Sequence, residues 1–268
     1  MNRITALLAP LTLCLLTACG GGGSGDSVTP PPPTAVNPEG LWQGTAASGL
    51  DSLKTTLLAD ADGYAYAVLN NGNGAAIEAL FMSNLNSDAL KPGNASSTGM
   101  GYYRHVAGGF YQSVAMATVS QGQGSSQQSL QFQVGKGLDS SEPRKLTLSY
   151  DKGYEQAPTL ESVYGRYVSK QSGHAMAVLS LSGANRDRAL LSDSSACGFS
   201  NSRISASSTG KNLFSVVGIL SGPACGFQGA ASGVGYATLD SQGKPIGFTL
   251  ALRESSGKAF FVFQGDRS

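Results

Sequence analysis

Turn signals interrupt this chain so often that little besides short strands can form between them. Asp60-Ala61-Asp62-Gly63 and Asn70-Asn71-Gly72-Asn73-Gly74 are followed by Gly210-Lys211-Asn212, Gly222-Pro223 and Ser255-Ser256-Gly257-Lys258, and 36 glycines are spread along the sequence. Such clusters end a strand or reverse it. The first half reads as strands at Gly40–Thr45, Leu53–Ala59, Tyr64–Leu69, Ile77–Leu85, Gly101–Val106, Phe110–Val119, Leu130–Val134 and Leu146–Tyr150. Asp151–Pro158 is a junction, with Gly153 and Pro158 as breakers. The second half reads as strands at Val163–Val168, His174–Leu181, Arg186–Leu191, Cys197–Ala206, Leu213–Leu220, Gly233–Leu239, Phe248–Leu252 and Ala259–Phe263. Phe248, Leu250 and Leu252 alternate with Thr249, Ala251 and Arg253, the period of a half-buried strand. No amphipathic helix longer than two turns is legible. The expected fold is all-β and antiparallel, with two tandem small barrel or sandwich-like lobes at 39–156 and 157–268. Each has about the strand count that closes a small barrel; one larger sheet system is the alternative.

The first 38 residues do not belong to either lobe. Arg3 precedes an apolar run, Ile4–Leu16, that is too short to span a bilayer but fits a secretory signal. The run ends in Leu16-Thr17-Ala18-Cys19, which resembles the lipobox of bacterial lipoproteins. The resemblance implies cleavage after residue 18 and lipid on the Cys19 thiol and the new N-terminus. Several acyl chains make a durable anchor, at roughly 0.8 kcal/mol per buried CH₂. An ordinary secretory signal with an incidental Cys19 is the other reading. Gly20 is not an acidic retention signal, so the resemblance favours the outer membrane. Residues 19–38, rich in Gly and Pro, read as a flexible tether that holds the body away from the bilayer.

Composition narrows the body's chemistry. Losing Arg3 with the signal leaves 17 basic against 17 acidic side chains, so no basic stripe is available for nucleic acid. Charged residues make up 13% and apolar ones 41%, which is a folded rather than a disordered composition. The chain ends Asp266-Arg267-Ser268, without the terminal aromatic common in outer-membrane barrels, and the body is expected to be soluble and outside the cytoplasm. Cys14 leaves with the signal and Cys19 takes lipid. Cys197 and Cys225 remain, and an oxidising compartment makes a disulfide their default. If Gly210-Lys211-Asn212 is a hairpin tip, the two cysteines stand opposite each other at its base, unless a bulge at Gly222-Pro223 shifts the register by one.

The lipobox, the tether, Gly40-Leu41-Trp42 opening the first lobe and the Gly-rich second lobe ending AFFVFQGDRS resemble proteobacterial surface lipoproteins. These are the kind with transferrin-binding-protein-like or lipocalin-like β-barrels. The resemblance implies binding of a host protein, haem or another small ligand without catalysis. It transfers no ligand-contacting residue.

Candidate chemistry is sparse. Gly25-Asp26-Ser27-Val28 resembles the start of one esterase class, but it lies in the tether with nothing to position Ser27. Ser208-Thr209-Gly210-Lys211 and Ser255-Ser256-Gly257-Lys258 have Ser-x-x-Lys spacing, yet both fall where hairpin turns are expected, not on a helix with a buried lysine. Asp60-Ala61-Asp62-Gly63 lacks the closing Glu of a calcium loop and reads as a turn. His105 and His174 have no metal-ligand spacing, so no metal is expected, and no cofactor. Ala-Cys-Gly-Phe occurs twice, at 196–199 and 224–227, and reads as a structural staple rather than a redox pair. Gly101-Tyr102-Tyr103-Arg104-His105 and Gly109-Phe110-Tyr111-Gln112 gather aromatics and an arginine, which suits either strand packing or a binding surface. The expected function is that of a lipid-anchored binding protein of the outer membrane, on its periplasmic or its cell-surface face, that binds a small ligand or a host or envelope protein. The alternative is a periplasmic inhibitor or an envelope-assembly accessory lipoprotein. An enzyme is not expected.

The anchoring step is directly testable. Cys19→Ala is expected to abolish fatty-acid labelling and to move the protein from the detergent phase to the aqueous phase. Retained labelling would refute the lipobox reading.

Overall fold

The computed structural model describes residues 36–71, 76–83, 85, 90, 101–136, 143–185, 188–192 and 197–268. The signal segment, Cys19 and the tether up to residue 35 lie outside the described residues. Residues Ala35–Ser268 form one compact unit. Its strands are β1 Gly40–Ser48, β2 Asp51–Ala59, β3 Ala65–Asn70, β4 Ala76–Met82, β5 Gly101–Ala107, β6 Phe110–Ser125, β7 Ser129–Lys136 and β8 Arg144–Tyr150, followed by β9 Gly165–Ser169, β10 Val178–Asn185, β11 Arg188–Ser192, β12 Gly198–Ala206, β13 Phe214–Ser221, β14 Gly229–Leu239, β15 Pro245–Glu254 and β16 Ala259–Arg267. Two 3-10 turns, Lys152–Glu155 and Glu161–Val163, occupy the junction. Among the described residues no helix is long and apolar enough to cross a membrane.

Every pairing is antiparallel, and each set of eight strands returns to its start. β1 to β8 pair in succession, and β8 closes on β1 with Trp42 opposite Tyr150. β9 to β16 do the same, and β16 closes on β9 with Arg267 opposite Tyr167. A short β6–β16 pairing then links the two rings into one sixteen-strand hydrogen-bonded network. Eight strands enclose a space that side chains alone can fill. Trp42, Leu57, Leu80, Phe132 and Leu146 fill the first ring. Tyr167, Ile204, Phe214, Leu250 and Phe261 fill the second.

A third cluster lies between the rings, and it explains the unbroken apolar runs. In β3, Ala65, Ala67 and Leu69 face the first ring's interior, while Tyr66 and Val68 face the inter-ring cluster. In β16, Phe261 and Phe263 point into the second ring, and Phe260 and Val262 meet Tyr66, Tyr103 and Tyr111. A strand buried on both faces cannot alternate apolar with polar. Where one face meets water the alternation is clean, as in β8, whose buried Leu146 and Leu148 alternate with exposed Lys145, Thr147 and Ser149.

Both rings close by the same device. Gly40 and Gly165 have φ of 150° and 154°, and the aromatic two residues on is fully buried. Trp42 Nε1 donates to the Pro38 carbonyl at 2.8 Å, and Tyr167 Oη donates to the Val163 carbonyl at 2.6 Å. A Cβ on Gly40 would strike the Tyr150 ring, and one on Gly165 would crowd the Arg267 guanidinium. The glycine thus lets the last strand approach, while the aromatic plugs the mouth and satisfies its own polar atom.

Two departures from the sequence reading matter for the site. The strand expected from His174 starts at Val178 instead, because Gly173 at φ 71° and the bond from His174 N to Gln171 O turn the chain before it. β6 runs to Ser125 rather than Val119, which lengthens its hairpin with β7. At its other end the hairpin with β5 turns at Gly108 and Gly109, φ 57° and 85°, the pair of positive angles a type I′ turn requires. A Cβ on Gly109 would lie 2.0 Å from His174 Nε2, whereas Gly173, also at positive φ, has nothing within 4 Å. Gly173→Ala is therefore expected to cost about 1 kcal/mol of backbone strain. Gly109→Ala should cost roughly 1–3 kcal/mol more, because docking must also yield. Chemical denaturation of the two variants checks this; equal losses would refute the tight docking.

Candidate binding site at the seam between the rings

The β5–β6 hairpin leaves its own ring and completes the wall of the other. Ala259, Phe260 and Phe261 of β16 pair with Gln112, Tyr111 and Phe110 of β6. The Ser113 amide donates to Lys258 O at 2.8 Å, the Val262 amide to Gly109 O at 2.9 Å and the Ala175 amide to Gly108 O at 3.1 Å. The hairpin tip is thus held between β16 and the segment 170–177, which takes over where the short β9 stops.

Both histidines of the chain lie at this joint. His174 is buried against the edges of Phe261 and Phe263. Its Nε2 is 2.8 Å from Val262 O, and its Nδ1 is 3.1 Å from Met176 N and 2.9 Å from Met176 O. Burial holds its pKa below the usual imidazole value. His105 lies edge-on to Tyr111, with Nε2 3.2 Å from Gln171 Nε2, and burial lowers its pKa as well.

Beside the joint the structure forms a cavity of about 540 Å³. Its floor is aromatic: Phe110 is buried, meets Phe227 edge-on at 5.5 Å and lies 4.9 Å from Phe261. Val106, 59% exposed, and Gln112 form the wall from the first ring. The loop 222–228 forms the facing wall through Ala224, Gly226 and Phe227, and Glu254, Ser256 and Lys258 supply a polar rim. The volume is that of a small-ligand site or a side-chain pocket.

The disulfide belongs to this wall. Cys197 and Cys225 are bonded, with Cα atoms 4.9 Å apart. The expected cross-strand register does not hold, because Gly198 faces Ser221 and Cys225 lies beyond the end of β13. The pairs next to the turn, from Ala206 with Phe214 to Arg203 with Val217, are already offset from the expected register, and a bulge between Ser200 and Arg203, with Asn201 at φ 48°, shifts it by one more residue in β12 rather than at Gly222-Pro223. The bond therefore ties the start of β12, where Cys197 is buried, to the loop that walls the pocket.

The other candidates fall in turns. Asp60 Oδ1 accepts the amides of Asp62 and Tyr64, and Asp240 Oδ1 accepts those of Gln242 and Lys244 in an equivalent turn. Lys211 pairs with Glu155 at the junction and holds its carboxyl below the usual range. Ser256 Oγ is bonded to Glu254, and Gly257 turns the hairpin at φ 74°. Ser27 lies outside the described residues. Of the two aromatic stretches, Tyr103, Phe110 and Tyr111 are buried while Val106 and Gln112 reach the pocket. Sequence reasoning missed the walls at 173–175, 224–228 and 254–259; the second Ala-Cys-Gly-Phe was the one signal that marked part of them.

No protein-family model matches the chain, and no curated protein matches it in sequence. Among solved structures it matches a protein of Bacteroides fragilis NCTC 9343 provisionally described as an outer membrane protein. The identity is 11%, 85% of this chain and 97% of that chain are covered, and the TM-score is 0.21. At that score the folds do not superpose as wholes, and the functional reading rests on this chain's own residues.

Replacing both cysteines by serine removes the cross-link over a separation of 28 residues. Chain entropy for such a loop gives a loss of about 3.6 kcal/mol, or roughly 7–14 °C in a body of this size. Calorimetry of the oxidised protein and the double variant measures it. An unchanged Tm would show that the staple contributes nothing to the folded state.

Proposed function

We propose that the protein is a lipid-anchored binding protein of the outer membrane, held through Cys19, that takes a protein or small ligand at the inter-ring pocket without catalysis. The observation that carries this reading is the pocket's construction. Both rings are filled by their own side chains, so the space a lipocalin-like calyx would give to a ligand is occupied by core. Concave surface is provided instead where the hairpin of one ring meets the stapled loop of the other.

Orientation supports it. The body's first residues lie beside the junction, where Tyr154 Oη donates to Glu39 Oε1 at 2.9 Å and Tyr154 O accepts the Asn212 amide. Asn212 belongs to the 207–213 connection at one mouth of the second ring. The pocket is built from connections at the other mouth. At its rim the Ser256 hydroxyl is engaged by Glu254 within a turn.

The test uses the body from Val36 onward as bait for host fluid and for cell-envelope extract. Val106→Asp changes an exposed position on the pocket wall. It is expected to leave Tm unchanged and to weaken capture of the specific ligand at least tenfold, as loss of one buried apolar anchor would. Capture unaffected by Val106→Asp would move the binding site elsewhere.

A further inference from the structure

The loop that carries His174 and the hairpin it meets enclose the ring away from water. With the proton on Nε2, the imidazole donates to Val262 O at 2.8 Å and its Nδ1 accepts the Met176 amide at 3.1 Å. A second proton on Nδ1 would displace that amide and turn to Met176 O, 2.9 Å away, so the ring would keep two acceptors while the amide lost its own and the charge stayed buried. There is no room for water to solvate the new charge from the hairpin side, because even a methyl on Gly109 would lie 2.0 Å from Nε2. Phe261 and Phe263 close the other sides.

No compensating anion is at hand. On β5 the neighbouring charge is Arg104, and His105 adds a second titratable ring. On the 170–177 segment it is Lys170, paired with Asp266 of β16 at 2.8 Å. The β15–β16 hairpin brings Arg253, Glu254 and Lys258, with Glu254 bonded to Ser256. The loop 222–228 carries no charged residue. Among the described residues neither imidazole is hydrogen-bonded or ion-paired to a carboxylate.

We propose that this joint is an acid-sensitive latch: protonation of His174 releases the β5–β6 hairpin from the 173–176 segment and from β16, and so opens one wall of the inter-ring pocket. The consequence for ligand rests on the binding reading above, whereas the latch itself does not. The direction follows from linkage. Burial places the docked-state pKa of His174 below the ordinary value. Above both values pH has no effect. As pH falls through the ordinary value of about 6.5, the undocked form takes the proton first, and docking weakens until the docked-state pKa is reached. His105 acts in the same direction with less leverage, since Gln171 can turn its amide over to accept.

Hydrogen exchange of the ligand-free protein, corrected for intrinsic rates, tests it at about pH 7.5 and pH 5.0. Protection of peptides covering 108–113 and 259–263 is expected to fall by about tenfold for each pKa unit of depression. Peptides covering 65–70 in the first ring's core should keep their protection. His174→Gln retains an amide donor and acceptor without titrating, and should abolish the pH effect; His105→Gln should keep most of it. Unchanged protection in the native protein, an equal fall across all peptides, or a fall that survives His174→Gln would overturn the latch. If His174→Gln does not fold, imidazole NMR of the native protein decides. Protonation of His174 must coincide with loss of hairpin protection, and titration with the hairpin still closed refutes the proposal. Failure of the ligand capture described above would leave this measurement unaffected.

Discussion

The apolar cluster between the rings is the constraint on which the rest of the molecule depends. Each ring satisfies most of its backbone hydrogen bonds by closing, so the short β6–β16 pairing is a small part of what joins it to the other. The larger part is side-chain burial: Tyr66, Phe81, Tyr103 and Tyr111 from the first ring against Val234, Tyr236, Phe260 and Val262 from the second. Aromatic side chains bury more area than any others and prefer edge-on or tilted contacts, as Tyr103 and Phe260 show at 5.2 Å and 37°. Arg253 adds a cation over the Phe81 ring at 4.5 Å while its Nε donates to Tyr103 Oη. Because this cluster fixes the rings against each other, the β5–β6 hairpin can reach across and pair with β16.

Much of this was legible in the sequence, and the limits have physical causes. Sixteen runs between turn signals gave sixteen strands, because Gly, Asn and Asp at positive φ or with side chains bonded to nearby amides have few other places to go. Gly40-Leu41-Trp42 marked the first strand of the first half, and both it and Gly165-Arg166-Tyr167 prove to be closing motifs. Strand ends were less legible. The start of β10 moved from 174 to 178 because loop residues there serve a tertiary contact with Gly108 and Gly109, which local pattern cannot show. The disulfide register was missed for a similar reason. The pairing next to the turn, Ala206 with Phe214, is already displaced from a tip at Gly210-Lys211-Asn212, and Asn201 at φ 48° then bulges β12, where nothing in Phe199-Ser200-Asn201-Ser202 separates a bulge from a regular strand.

The pocket is the clearest case of a feature beyond the reach of one-dimensional reading. Its walls come from four connections far apart in the chain, and none has a composition unlike an ordinary turn. The aromatics that drew attention on β5 and β6 are mostly structural, with Tyr103 and Tyr111 buried between the rings. Phe110 and Tyr111 also line the cavity, together with their less conspicuous neighbours Val106 and Gln112. Aromatic density thus located the hairpin but could not separate packing from lining.

The two rings also differ in how they secure the mouth opposite their closing aromatic, and this difference accounts for where the pocket lies. Inside the first ring, Arg144 and Glu78 form a buried pair, with Nε to Oε2 at 2.8 Å and Nη2 to Oε1 at 3.1 Å. Such a pair constrains two side chains on facing strands, but its net contribution to stability is small once desolvation is counted. The second ring instead ties a loop to the barrel wall through Cys197 and Cys225. A covalent link restrains backbone, and restrained backbone can keep a concave surface open with an aromatic presented on it, as Phe227 is here. The mouth with the covalent link is therefore the one able to hold a preformed wall. The hairpin that completes it from the first ring is held by hydrogen bonds and packing alone. One wall is fixed and the other is free to respond to its surroundings, which is the division a site with controlled access requires.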